Sequence, residues 1–328
     1  MADNKPRLKA ICPEPQNYSA AGLSAIGKLA ELVSRPIQHE ELVRIIPEFD
    51  LLFVRLQTAV TRDLLESATR LRAVISPTTG LNHIDLDAAA EFNIEVFHLR
   101  GQTEFLRSIP STAEHTWALL LALVRRVPEA FESVRRGRWE QDPFRGIELH
   151  EKHLGVVGCG RLGSIVAHYG RAFGMSVSAF DPYAEFVPSY VDRCGSLEEL
   201  LLKSDVLSVH VPLNDETTGM IGARQLESLP DGAVLINTSR GEIIDEEALL
   251  QALVSGRLSG AAVDVIRNEL SPSERGRTLV SYARTHENLI ITPHIGGATI
   301  EAVEKTDLFI VGRLVEWLKQ PVNRLDAP

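Results

Sequence analysis

Short apolar runs alternate with longer amphipathic segments along the whole chain, a pattern that predicts a parallel sheet with helices on both faces. In the first third, Leu8 to Cys12, Leu51 to Arg55, Ala73 to Ser76 and Glu95 to His98 read as strands. Ser19 to Val33, Arg62 to Ala68 and Leu86 to Phe92 read as the helices between them. Ser111-Thr112-Ala113-Glu114 has the form of a capping box that opens the apolar stretch Trp117 to Val124. Pro128 to His150 predicts irregular structure, with Phe131, Trp139 and Phe144 either packed internally or buried in a partner subunit. Leu154 to Val157, Ser176 to Phe180, Val206 to His210, Ala233 to Asn237, Gly260 to Val265 and Asn288 to Thr292 then read as strands, and Ile300 to Leu318 as a last helix.

One strand exit carries a specific signal. Gly158-Cys159-Gly160-Arg161-Leu162-Gly163 follows the apolar run Leu154 to Val157, and Leu162, Ile165, Val166, Tyr169 and Phe173 then share one helical face. Gly158 permits a tight turn, Gly160 lets backbone approach a pyrophosphate, and Gly163 lets the helix pack against the strand. The positive end of that helix suits a diphosphate. Asp181 ends the next strand, about 20 residues on, where its carboxylate suits the ribose hydroxyls of NAD. It would repel the 2′-phosphate of NADP, and Pro182-Tyr183-Ala184 supplies no cation beside it. This is a Rossmann-type phosphate turn, and NAD is the expected cofactor.

Composition narrows the setting. The chain has 328 residues, 44% hydrophobic and 24% charged, enough for two globular domains. No apolar run reaches the ~20 residues of a membrane span, and Met1-Ala2-Asp3-Asn4-Lys5 has no secretory pattern. A net charge of −10 argues against nucleic acid and anionic lipid as partners. Cys12, Cys159 and Cys194 form no disulfide framework and suit a reducing cytoplasm. His150 and His153 lack further ligands at metal-binding spacing, so they are read as solvated and no metal is expected.

The loops after the later strands hold the remaining chemistry: His210-Val211-Pro212, Asn237-Thr238-Ser239-Arg240-Gly241, Asp264 onward to Glu269, and His294-Ile295-Gly296-Gly297. In doubly wound sheets, ligands sit at these carboxyl ends. An arginine, a glutamate and a histidine there suit hydride transfer at a 2-keto or 2-hydroxy acid. Arginine grips a carboxylate with two donors. Histidine exchanges a proton with the carbonyl oxygen near neutral pH, and a carboxylate beside it favours the charged ring.

At these residues the chain resembles the D-isomer-specific 2-hydroxyacid dehydrogenases. The resemblance is carried by Thr79 to Leu86, Ala113-Glu114-His115, Leu154 to Gly163, Val209 to Leu213, Asn237 to Asp245, Ala261 to Val265, Thr292 to Thr299, and Pro321-Val322-Asn323. It implies Arg240 as substrate anchor, His294 as general acid or base, and Glu269 as its partner. It also implies Thr238, Ser239 and Asp264 near the nicotinamide, and Arg161 and Leu162 on the pyrophosphate. Pro182, His210, Val211, Pro212, Thr217 and Gly297 complete the expected cofactor contacts.

The implied architecture is a cofactor domain over 107–299 and a smaller, flavodoxin-like α/β substrate domain from 1–106 with 300–328. A homodimer is also implied, without the regulatory domain some relatives carry. Substrate contacts are expected from Thr78, Thr79 and Gly80, and Arg55 is either such a contact or a solvated strand-end arginine. Pro77-Thr78-Thr79-Gly80 departs from the family's glycine-rich pattern, Arg267 stands where an acid is common, and Leu270 stands where proline is common. The expected activity interconverts a small anionic D-2-hydroxy acid and its 2-keto acid. Formate dehydrogenases, which resemble this chain but carry glutamine in place of Glu269, and NAD-sensing co-repressors of the same fold are the alternatives.

Overall fold

The computed structural model describes residues 7–269 and 277–320, so Leu270 and Pro321 to Asn323 lie outside the described residues. The chain divides into two compact units, one running to Ser108 and resuming at Ala298, the other Ile109–Gly297.

In the first unit, strands β1 (Lys9–Cys12), β2 (Glu31–Ser34), β3 (Leu51–Phe53), β4 (Ala73–Ile75) and β5 (Glu95–Phe97) form a parallel sheet. Its order is β2-β1-β3-β4-β5, the flavodoxin-like arrangement. Helices α1 (Ala20–Leu29), α2 (His39–Ile45), α3 (Arg62–Ser67), α4 (Leu86–Glu91) and α5 (Thr103–Leu106) connect or follow the strands. Leu42, Ile46, Leu52, Val54, Leu64, Leu65 and Val74 fill the core on one side. The helix Ile300–Lys319 packs on α1, so closely at Gly22 that a Cβ there would stand 2.6 Å from Asp307.

Helix α1 is shorter than the pattern predicts. Ala30 turns to extended backbone, and Glu31–Ser34 pairs in parallel with β1. Leu32 and Val33 also fit the helical stripe, and the pairing partner that overrides it is distant in sequence.

The second unit carries β6 (His153–Val157), β7 (Ser176–Phe180), β8 (Asp192–Arg193), β9 (Val206–Val209), β10 (Ala233–Asn237), β11 (Leu258–Val263) and β12 (Leu289–Ile291). They form a parallel sheet in the order β12-β11-β10-β9-β6-β7-β8. The chain winds outward from β6 through β7 to β8, then returns to β9 on the other side of β6. This reversal is the switch point of a doubly wound sheet.

The register is level. Val157 is partnered by Phe180 and Val209, Asn237 by Val209 and Val263, and Val263 by Ile291. The residues that follow, Gly158, Asp181, His210, Thr238, Asp264 and Thr292, therefore emerge along one edge.

Helices α6 (Ser111–Val124), α7 (Val127–Arg135), α8 (Arg161–Ala172), α9 (Leu197–Leu201), α10 (Ala223–Ser228), α11 (Glu246–Val254) and α12 (Arg277–Ala283) belong to this unit. The long helix Ile300–Lys319 of the first unit is α13. Two details depart from expectation. Pro110 caps α6 without a side-chain bond and Ser111 is already helical, so the capping box does not form. Pro128 sits in the first turn of α7, where proline has no N–H bond to lose, so the segment predicted as irregular is helical up to Arg135 and mostly irregular from there to His150.

Candidate active site

The glycine turn joins β6 to α8. Gly158 has φ +87°, and a Cβ there would lie 2.7 Å from the His210 carbonyl oxygen. A Cβ on Gly163 would lie 2.0 Å from the Gly158 oxygen, so only glycine allows this closeness of helix and turn. Gly160 faces open space and starts α8 with no side-chain cap. Two glycines are thus fixed by protein contacts and the third leaves its side of the turn clear. Such a cradle fits a dinucleotide's diphosphate at the positive end of α8.

Asp181 binds the turn back to the sheet. Its Oδ2 accepts from Cys159 N at 2.9 Å, and its Oδ1 from Tyr183 N and Ala184 N at 2.9 and 3.0 Å. A carboxylate offers about four acceptor positions, so three backbone bonds orient it and leave room for a hydroxyl. A cation also stands nearby, contrary to the reading of Pro182-Tyr183-Ala184: Arg193 on β8 donates to the Asp181 carbonyl at 3.2 Å. Arg161 donates to the Ile109 carbonyl at 2.8 Å, and burial lowers its pKa.

On the far side of β6, His210 Nε2 lies 2.7 Å from Ser208 Oγ, and burial depresses its pKa to about 4. That ring is a neutral loop anchor. Val211 packs on the core below, and Thr217 Oγ1 donates to the Pro212 carbonyl at 2.6 Å, closing the same loop. His153 is half-buried, with Nε2 2.8 Å from Ser178 Oγ and its pKa lowered by burial, so it is not solvated as the sequence suggests. No group of three potential metal ligands occurs among the described residues.

The loop after β10 is closed by Asn237, a residue whose role the sequence does not announce. Its buried side chain donates to the Arg240 carbonyl at 2.9 Å and accepts from Ser239 N at 3.0 Å. Ser239 Oγ donates to the Val209 carbonyl at 2.6 Å, Thr238 Oγ1 lies 2.8 Å from Thr116 Oγ1, and Arg240 donates to the Ser239 carbonyl at 2.6 Å. A Cβ on Gly241 would lie 2.1 Å from the carbonyl carbon of Ile266, so the Arg240 loop rests on the segment leading to Glu269.

Glu269 Oε1 stands 2.7 Å from His294 Nδ1, with side chains 27% and 21% exposed. Because Nδ1 is engaged, Nε2 is the nitrogen left to exchange a proton. His294 adopts φ +55°, a conformation uncommon for a side-chain-bearing residue. Asp264 holds this turn. Its carbonyl accepts from His294 N at 2.8 Å, its Oδ1 from Ile295 N at 2.9 Å, and its Oδ2 from Gly296 N at 2.7 Å. That carboxylate is buried and lies beneath the turn. Gly297 borders open space.

The first unit holds the other sequence candidates. Arg55 forms an ion pair with the buried Asp307 at 2.5 Å and donates to Thr306 Oγ1 at 3.0 Å. Thr78 Oγ1 donates to the Gly80 carbonyl and touches Ser76 Oγ, both at 2.8 Å, so its hydroxyl closes the loop. Thr79 is exposed.

A family model described as D-isomer specific 2-hydroxyacid dehydrogenase, NAD binding domain, matches residues 117–296. The chain is 36% identical to a hydroxypyruvate reductase of Thermotoga maritima over 315 residues, 95% of this chain and 99% of the relative. The chain belongs to the D-isomer specific 2-hydroxyacid dehydrogenase family. It is 35% identical to a D-3-phosphoglycerate dehydrogenase of Archaeoglobus fulgidus over 95% of its own length but spans only 58% of that relative. Among solved structures, a D-lactate dehydrogenase of Aquifex aeolicus complexed with NAD and lactic acid superposes with a TM-score of 0.79 at 29% identity, covering 97% of each chain. The glycine turn and Asp181 lie within the region that matches the family's NAD-binding domain.

Proposed function

We propose that this chain is an NAD-dependent dehydrogenase that interconverts small D-2-hydroxy acids and their 2-keto acids. The observation that carries this reading is the Glu269–His294 contact at 2.7 Å on the edge of the sheet that also carries Arg240. Bound NADH supplies the hydride. In the reducing direction, Arg240 grips the substrate carboxylate with two N–H donors, and its charge favours the oxygen that becomes negative at the reacting carbonyl. His294 donates its Nε2 proton to that oxygen. Glu269 stabilises the imidazolium and fixes the ring through Nδ1. In the oxidising direction the same nitrogen accepts the hydroxyl proton.

Asp181 takes the adenosine ribose, the glycine turn with Arg161 and Leu162 takes the diphosphate, and Thr238, Ser239 and Gly297 border the nicotinamide end. Asp264 serves that end by holding the backbone turn. Thr78, Thr79 and Gly80, in the loop after β4, are the candidate substrate contacts of the first unit. The exposed Val127, Phe131 and Val134 of α7, with Trp139 beyond it, support association with a second copy of the chain. Three buried free cysteines support a reducing, cytoplasmic setting, and no helix among the described residues is long and apolar enough to cross a membrane. NADH oxidation measured across a panel of 2-keto acids, from glyoxylate to larger sugar acids, tests the reading. Tight NADH binding with turnover of none would overturn it.

A further inference from the structure

Helix α6 approaches the candidate site at its first turns, and one residue there has no role in the reaction as described. His115 Nε2 stands 3.0 Å from Thr292 Oγ1 and 3.3 Å from Asp264 Oδ1. Thr292 has one hydroxyl proton, and it goes to Asp264 Oδ1 at 2.6 Å. The threonine oxygen can therefore only accept from the ring, and so can the carboxylate. Hence Nε2 of His115 carries a proton.

The group it serves is the carboxylate beneath the His294 turn. Asp264 is 1% exposed in its side chain, and its other partners, Ile295 N, Gly296 N and the Thr292 hydroxyl, are all neutral. A buried carboxylate is costly unless its acceptor positions are filled, and the His115 Nε2–H is the donor that α6 adds to those of the turn and Thr292. The packing follows the bonding. A Cβ on Gly296 would meet Thr112 Cγ2 at 3.3 Å and His115 Cδ2 at 3.7 Å, so α6 backs directly onto the turn. The next residue, Thr116, meets Thr238 on the Arg240 loop at 2.8 Å. Adjacent residues of one helix thus touch both loops that carry the proposed chemistry.

We propose that His115 is a positioning residue for the reaction. Its Nε2–H completes the donor set of Asp264 and so holds the φ +55° turn that aims His294. This inference rests on the dehydrogenase reading above, but its test has an arm that does not need turnover. His115→Leu removes the donor, whereas His115→Gln returns an N–H at a similar reach. For the best keto acid, His115→Leu is expected to lower kcat by about 10- to 100-fold, the scale of a small misplacement of a catalytic group, with the NADH dissociation constant unchanged. His115→Gln is expected to recover most of that loss. Amide hydrogen exchange, followed without substrate, is expected to speed up at Ile295 and Gly296 in His115→Leu and to stay slow in His115→Gln.

Faster exchange at those two amides in a protein whose wild type reduces no keto acid would sink the dehydrogenase reading and leave the brace standing. Wild-type kcat and exchange in His115→Leu would overturn the proposal. So would a His115→Gln variant as impaired as His115→Leu, since that would make the ring a packing element rather than a donor.

Discussion

His294 Nδ1 lies 2.7 Å from Glu269 Oε1, on a histidine whose backbone sits at φ +55°. The carboxylate therefore acts on a ring already aimed by the Asp264 turn. It supplies charge as well as direction.

That division of labour separates two variants. His294→Ala removes the proposed proton donor and should lower kcat by ~10²–10⁴-fold with NADH affinity little changed. Glu269→Gln keeps the size and one acceptor but not the charge, and should cost ~10-fold or more, equivalent to about 1.4 kcal/mol. Steady-state kinetics on the best keto acid decide both, and wild-type turnover in either removes that residue from the mechanism.

The glycines of the turn make opposite demands. Alanine at Gly163 would press on the Gly158 oxygen, and overpacking of this kind costs about 1–3 kcal/mol. Alanine at Gly160 meets no protein atom within 4 Å, so the melting temperature should hold while NADH binding weakens. Thermal unfolding and NADH titration of both variants check the contrast. A Gly160→Ala protein with unaltered affinity would remove the diphosphate from that side of the turn.

Asp181 should give NADH an advantage over NADPH of at least ~10²-fold in kcat/KM, about 2.7 kcal/mol. Arg193 is held on the Asp181 carbonyl, and a cation there would offset part of that advantage if it faced a 2′-phosphate. Arg193→Ala should therefore widen the preference, and Asp181→Ala should both erode it and loosen the turn, because three N–H groups lose their acceptor. Ratios of kcat/KM for the two cofactors test this. A preference untouched by Arg193→Ala would leave that side chain as a strand tether only.

His210 makes stability depend on pH. Its folded pKa, about 4, lies below the ordinary 6.5, so the unfolded chain binds the extra proton between those values. Its contribution is complete above pH 6.5 and is lost as pH falls toward 4. The shift allows at most about 3 kcal/mol, and the partly exposed edge of the ring makes about 1–2 kcal/mol the working figure. Melting temperatures of wild type and His210→Gln from pH 7.5 to 4.5 should differ in slope below 6.5, and parallel curves would count against the anchor.

What the chain spells out locally, it spells well. The glycine turn is legible because steric constraint fixes glycine at Gly158 and Gly163 while Gly160 keeps one side of the turn clear, and the loops of Arg240 and His294 because strand exits frame them. What depends on a distant partner is not. Arg193 reaches Asp181 only because β8 lies beside β7. Strand β2 exists because β1 pairs with it, although Leu32 and Val33 also suit a helix. Ser111 looks like a helix cap until Pro110 takes the position. His115 reads as one member of a resembling stretch, and its meeting with Thr292 arises from packing alone.

The level strand ends have a practical consequence for protein engineering. The chemistry proposed for the second unit stands on one rim of its sheet, so the opposite rim of that sheet suits grafting. Gly256, at φ +76° in open space just before β11, is an entry point there for an epitope or a surface-attachment tag. A protein immobilised through that position would present its cofactor edge outward to the solution.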